Sequence, residues 1–143
     1  LTAAGIPFDR ERDLEFGKFN RKSGGYDATR RLLARRADDL PTALCAGSAT
    51  MLLGTFQAIR DAGLLIPEDI SLVGIDDTDA AIYTTPPLSV VSTSCEEVAK
   101  QTVARLIELI EQDAPASRDH MISNVTLASR SSIRPCGSFG KEA

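Results

Sequence analysis

The sequence contains few of the residues on which several common kinds of site depend. Its 143 residues include no tryptophan, one histidine and three cysteines. Cys45, Cys95 and Cys136 are odd in number and far apart, so they form neither a disulfide framework nor a zinc site. This usage is typical of a reducing cytoplasm, and we expect Cys45 to be a small buried hydrophobe. The sequence gives no indication of a metal or a cofactor.

Long apolar runs and clustered positive charge are also absent. No run approaches the roughly 20 apolar residues that a membrane helix needs. The formal net charge is −4, and the densest basic stretch is Arg30-Arg31 with Arg35-Arg36 on one predicted helix, which we interpret as a solvated face. Because phosphate contacts require clustered lysine and arginine, the sequence disfavours membrane insertion and direct DNA binding.

Turn residues and apolar periodicity divide the chain into alternating strands and helices. The predicted strands span residues 13–17, 43–46, 70–75 and 88–92; the predicted helices span 23–37, 49–62 and 96–112. Residues 77–84 are predicted to be a short helix or loop, and residues 121–133 to be extended. Ser23 is expected to cap the first helix and Gly63 to close the second. This alternation predicts an α/β fold, a parallel sheet in three α/β/α layers.

Three predicted strand-to-helix junctions lie at residues 16–23, 46–49 and 75–79. In a parallel sheet they share one edge, where ligands of such folds bind. Phe19, Ser48 and Asp76 can therefore converge there. Asp76 could accept hydrogen bonds from a ligand or cap the following turn, and we favour the ligand role because Asp77 or Thr78 is better placed to cap.

The other two candidates carry alternatives of their own. Ser48 could contact a ligand or cap the helix that begins near Ala49, and sequence alone favours the cap. Phe19 could be a satellite core residue or, if exposed, a flat platform for a sugar ring or a base.

Several motifs together resemble one protein family. They are Gly17-Lys18-Phe19 before Ser23-Gly24-Gly25-Tyr26, Pro41-Thr42-Ala43 before Ser48-Ala49, the turn and strand from Ile66 to Asp77, and Thr85-Pro86-Pro87-Leu88. In this order and spacing they are similar to the effector-binding domain of the LacI/GalR family of bacterial transcription regulators. The resemblance implies a periplasmic-binding-protein-like type I fold and a cytoplasmic repressor that senses a small, sugar-like effector and is not an enzyme.

The resemblance also implies residue roles. Phe19 and Asp76 match family positions that contact the effector, and Ser48 and Ala49 stand where the family usually has Asn and Asp. The family forms homodimers, and the matching surface here would offer Leu52, Phe56, Ile82 and Tyr83. For Leu52 and Phe56, the alternative is that they face the sheet.

The resemblance further implies a division of the chain. Residues 1–136 match part of the effector-binding domain, mostly its C-terminal lobe, and residues 137–143 are expected to be a loose tail. Leu1 to Gly5 look like the last turn of a helix, so we expect a longer protein whose operator DNA is bound by a preceding helix-turn-helix. The helix at 96–112 would then pack on the preceding lobe.

Two other classes remain open at this stage. A periplasmic sugar-binding protein of a transporter shares the two-lobed architecture. An α/β hydrolase would use Ser48, Asp76 and His120, which follow the chain order of its triad. The glycine pattern around Ser48 argues against the hydrolase, because Ala46-Gly47-Ser48-Ala49-Thr50 is not Gly-x-Ser-x-Gly.

Overall fold

The computed structural model of the chain describes residues 5–111 and 124–135. Its helices are α1 (Arg10–Asp13), α2 (Lys22–Arg35), α3 (Ala49–Asp61), α4 (Asp79–Ile82) and α5 (Cys95–Glu111). Its strands are β1 (Ala43–Ala46), β2 (Ser71–Ile75), β3 (Ser89–Thr93) and β4 (Val125–Ala128). The predicted tail and His120 lie outside the described residues.

The four strands form one sheet in the order β1-β2-β3-β4. The first three run parallel, with Ala46 opposite Gly74 and Gly74 opposite Val90. The last strand is antiparallel to β3, with Val90 opposite Ala128. The α/β class predicted from the sequence is confirmed, and the antiparallel β4 makes the sheet mixed.

Helix α3 covers one face of the sheet and supplies much of the core. Leu52 and Ile59 are fully buried and pack in one cluster with Leu72 and Val90 of the sheet. The apolar stripe of α3 is the cause, because burying a large aliphatic side chain stabilises the fold by about 1.5–3 kcal/mol. The strand-helix-strand unit β1-α3-β2 is therefore the centre of the described fold.

Helix α2 packs directly on α3, backbone against backbone. A Cβ on Gly25 would overlap the Met51 carbonyl, and a Cβ on Gly54 would overlap the carbonyl of Lys22. The buried hydroxyl of Thr29 donates to that of Thr55 at 3.0 Å. Two glycines thus allow an approach that side chains at these positions would prevent.

The predicted strand at residues 13–17 is wrong. Asp9 accepts hydrogen bonds from the amides of Glu11 and Arg12 and so starts the short helix α1. A strand needs a neighbouring strand, and in the described chain none pairs with residues 14–17; the carbonyls of Leu14 and Phe16 instead accept from Arg35 and Arg31. The segment is instead fixed to α2 by ion pairs.

Those ion pairs also correct the view of the arginine-rich face as merely solvated. Glu15 accepts from Arg31 at 3.1 Å and from Arg35 at 2.6 Å. Arg36 binds Asp13 at 2.8 Å. Hydrogen bonding by Arg35 is the main cause of a lowered pKa of Glu15. Most of this basic face is therefore matched with carboxylates from the preceding segment.

Two smaller expectations also fail. The N-cap of α2 is Arg21 rather than Ser23, and no side chain caps this helix. Cys45 is exposed rather than buried, because alternation in the edge strand β1 directs Ala46 into the core instead.

Helix α5 forms at the predicted place but buries none of its residues. Its apolar stripe is exposed over Val103, Leu106, Ile107 and Ile110. No helix within residues 5–111 and 124–135 is long and apolar enough to cross a membrane.

Candidate functional site

The predicted site residues lie at the carboxyl edge of the parallel strands. Ala46 of β1 lies opposite Gly74 of β2. Ser48 and Asp76 each follow these partners by two residues, so both lie just beyond the same edge. This is where ligands bind in open α/β sheets.

The loop that carries Phe19 reaches the same edge because α2 and α3 run in the same direction. Gly25 meets Met51 near the start of both helices, and further along Thr29 bonds to Thr55. The start of α2 therefore lies beside the start of α3, at the end of β1. Phe19 lies three residues before α2 and is 77% exposed. The three predicted residues share one edge of the fold.

Asp76 has an unusual backbone and a free side chain. Its φ is 71°, in the left-handed region, and its amide donates to the Val91 carbonyl at 2.9 Å. In the described part of the chain its carboxylate accepts no hydrogen bond. The α4 N-cap is Thr78, so Asp76 does not cap that helix. Non-glycine residues in this region are uncommon and concentrate at functional sites.

A second non-glycine residue with positive φ belongs to the same edge. Asn20 has φ 54°, directly after Phe19. Asn and Asp tolerate this conformation better than other side chains. Within the described residues, both non-glycine examples flank the predicted site, one on the α2 side and one on the β2 side.

Ser48 is buried and already has a structural role. Its hydroxyl oxygen accepts from the Met51 amide at 3.3 Å and caps α3. The cap that sequence alone favoured is therefore present. The hydroxyl can still donate its hydrogen to a ligand, so a role in binding stays a prediction.

Arg130 is a residue that the sequence reasoning missed. Its guanidinium donates to Asp77 Oδ2 at 2.6 Å and to the Leu88 carbonyl at 2.7 Å. Its amide donates to the Ser89 hydroxyl at 2.8 Å. These bonds connect the chain after β4 to the turn after β2 and engage Asp77, which leaves Asp76 as the free carboxylate of the pair. No motif in the sequence around Arg130 predicts this contact.

The predicted dimer residues divide into two groups. Leu52 is fully buried and Phe56 is 8% exposed, both in the core. They face the sheet, as the alternative held, and their selection as surface contacts is corrected. Ile82 and Tyr83 are 43% and 84% exposed and remain available to a partner.

The outer surfaces of α2 and α3 form a groove of about 460 Å³. Tyr26 donates to Asp61 Oδ2 at 2.8 Å across it, and Gln57 donates to Asp61 Oδ1 at 2.8 Å. The Gln57 hydrogen bond is the main cause of a lowered pKa of Asp61, and the bond from Tyr26 adds to it. Its lining also includes buried Ala58 and Leu33, which belongs to the core cluster.

The described residues contain neither a group of metal-ligating side chains nor the complete triad of the hydrolase alternative. Within 5–111 and 124–135, no three His, Cys, Asp or Glu side chains are grouped so that they could hold a metal ion. Ser48 caps a helix, and His120 of the proposed triad lies outside the described residues.

Comparison with known proteins gives a consistent result. Residues 5–133 match the model of the periplasmic binding protein-like domain. The chain is 34% identical over 112 residues to the HTH-type transcriptional repressor PurR of Glaesserella parasuis, covering 78% of this chain and 32% of the relative. It is 36% identical over 100 residues to the ribose operon repressor of Escherichia coli, covering 70% and 28%. The chain thus spans about a third of the length of these curated relatives.

Solved structures agree. A transcriptional regulator CelR–cellobiose complex superposes with a TM-score of 0.83 and 29% identity, covering 92% of this chain and 39% of that one. A sugar-binding LacI-family regulator from Escherichia coli in complex with phosphate gives 0.78 and 31%, covering 94% and 47%. The relatives named in these comparisons are transcription regulators rather than enzymes.

Proposed function

This chain belongs to the periplasmic binding protein-like domain family, in the form found in LacI/GalR regulators, and we propose that it senses the effector of a DNA-binding repressor. In this proposal a small molecule binds at the carboxyl edge of the sheet. Its binding changes the equilibrium between two conformations of the full-length protein and so its affinity for operator DNA. The regulator is not an enzyme and acts in the cytoplasm, where it meets DNA.

The free carboxylate of Asp76 is the observation that carries the effector site. It lies at the end of a buried strand, in a left-handed backbone held by the hydrogen bond to Val91. Exposed Phe19 supplies a flat apolar surface at the same edge. A carboxylate that accepts hydroxyl hydrogens, together with an aromatic face, suits a sugar-like ring. Complexes with cellobiose and ribose in two structural relatives support the same class.

Substitution of Asp76 tests the site. Asp76→Asn in the full-length protein should weaken effector binding by about 1.5–3 kcal/mol, because a charge-assisted hydrogen bond is lost. Isothermal titration with the effector measures this. Asp38→Asn is the matched control, since Asp38 is an exposed acid beyond the far end of α2. Equal affinity of Asp76→Asn and the control would make Asp76 structural.

The proposal includes a homodimer formed by the outer surfaces of α2 and α3 with Ile82 and Tyr83. The exposed Tyr83 ring and the groove beside Tyr26 and Asp61 support it, because interface centres are enriched in tyrosine. Tyr83→Asp should shift sedimentation of the full-length protein towards monomer, with Phe16→Asp as a control at another exposed aromatic. An unchanged dimer in the Tyr83 variant would exclude this surface.

A further inference from the structure

Phe19, whose ring is exposed, has three basic residues close to it in the sequence. Lys18, Arg21 and Lys22 lie within three residues of it and are all exposed. In the described part of the chain, none of the three forms an ion pair or a side-chain hydrogen bond. We call Lys18, Phe19, Arg21 and Lys22 the basic-aromatic patch.

The patch differs from the other basic residues near it. Arg31 and Arg35 are paired with Glu15, and Arg36 is paired with Asp13. Acidic residues outnumber basic ones in the chain, 20 against 16. Among the described residues, the carboxylates that form ion pairs with arginines of α2 and its C-cap thus lie towards its far end, and none pairs with Lys18, Arg21 or Lys22.

The start of α2 adds a partial positive charge beside the basic-aromatic patch. Its first turn contains no acidic residue, and no side chain caps it. The α3 helix beside it is capped by Ser48. Free amides at a helix start carry a partial positive charge. This contribution has the same sign as the three side chains, so it strengthens the attraction of the patch for an anion.

We propose that the effector carries an anionic group, a phosphate or a carboxylate, bound by Lys18, Arg21 and Lys22 while its ring lies on Phe19. The inference rests on the proposed function and specifies its ligand class. Asp76 repels an anion at the other side of the site. The ligand must therefore carry its negative charge at one end and be neutral at the other. Its anionic end lies at the start of α2, and its neutral hydroxyl groups reach Asp76.

Paired sugars that differ in charge test the ligand class. The full-length protein is titrated with glucose, glucose 6-phosphate, glucuronate, ribose and ribose 5-phosphate, at low and at high salt. We expect anionic sugars to bind about tenfold more tightly than their neutral counterparts at low salt, because charge-assisted hydrogen bonds are the stronger ones. The preference should shrink with added salt. The phosphate and carboxylate arms distinguish the two sources of charge.

Variants assign the preference to residues. Neutralising the patch with K18Q, R21Q and K22Q together should abolish the anion preference, so that anionic sugars bind no more tightly than their neutral counterparts. Arg10→Gln removes one charge from α1 and should leave the anion preference as it is, and circular dichroism checks that each variant folds. A wild-type protein that binds neutral sugars as tightly as anionic ones overturns the inference, as does an anion preference that survives the triple variant.

The design separates this inference from the proposed function. Binding of neutral sugars alone, weakened by Asp76→Asn, would leave the sensor standing and remove the anionic ligand class. Anion binding that depends on the patch but not on Asp76 would support the inference and remove Asp76 from the site. No binding of any sugar in the panel would overturn the inference.

Discussion

Helices α3 and α5 have similar sequence patterns and opposite surroundings. In α3, Leu52 and Ile59 have no exposed surface, and the helix lies against β1 and β2. In α5, which is longer at 17 residues, no residue is buried, and Ile107 and Ile110 are 48% and 71% exposed. Both sequences predict an amphipathic helix, and both helices form.

The difference shows what an apolar stripe specifies. It requires that a face be covered, but it does not name the partner. For α3 the partner is local, because a helix between two parallel strands folds back over them. For α5 the described residues provide no comparable surface. The following predictions test this contrast, from the largest expected effect to the smallest.

The largest effect is expected in the core below α3. Leu52→Ala should lower the free energy of unfolding by about 2–5 kcal/mol, because the deletion leaves a cavity among fully buried neighbours. Urea unfolding followed by circular dichroism measures it. A loss below about 1 kcal/mol, the range of surface changes, would mean that α3 is not packed as described.

The next effect concerns the buried hydroxyl group of Ser132. Ser132 is fully buried; its Oγ donates to the Leu72 carbonyl at 2.6 Å and accepts from the Ser89 amide at 2.7 Å. Ser132→Ala should cost about 1–3 kcal/mol, since it leaves buried backbone groups without a partner. Ser131→Ala, at an exposed neighbour, is the control. Equal stability of the two variants would contradict the network.

A smaller effect is expected at Asp13, which forms ion pairs with Arg12 and Arg36. A hydrogen bond from Arg12 is the main cause that lowers the pKa of Asp13 from 3.8 to about 2. Because the folded pKa is depressed, the stabilisation is present above pH 3.8 and is lost as the pH falls through about 2. Asp13→Asn should therefore flatten the pH dependence of unfolding in that window. Asp38→Asn, at an exposed acid that has no partner among the described residues, should leave the dependence as it is.

The smallest effect is expected on α5. Ile107→Ala should change the stability of residues 1–143 by no more than about 0.5 kcal/mol, because the side chain already contacts water. The same unfolding experiment as for Leu52 measures it. A loss comparable to that of Leu52→Ala would show that α5 packs in solution on a surface that the described residues do not provide.

Much of the fold could be predicted because its signals are local. The run Ile70 to Ile75, the start at Ser48 and the end at Gly63 each specify an element through neighbouring residues, and the sheet edge follows from them. The antiparallel β4 and the missing strand at residues 13–17 depend on partners elsewhere in the chain.

The candidate site was predictable to a smaller degree. The predicted end of the strand at residues 70–75 indicated Asp76, and the predicted loop before α2 indicated Phe19. The contact between Arg130 and Asp77 joins residues 53 apart in sequence, and only the folded chain reveals it. The family resemblance assigns Leu52 to a dimer surface, and only the folded chain shows that it packs in the core.

The close approach of the α2 and α3 backbones at two glycines has a mechanical consequence. Where Gly25 meets Met51 and Gly54 meets Lys22, the two backbones touch. Where side chains separate two helices, small displacements can be absorbed by changes of rotamer. At these two points no side chain separates the backbones. We therefore expect α2 and α3 to move together as a rigid pair when the Phe19 loop is displaced.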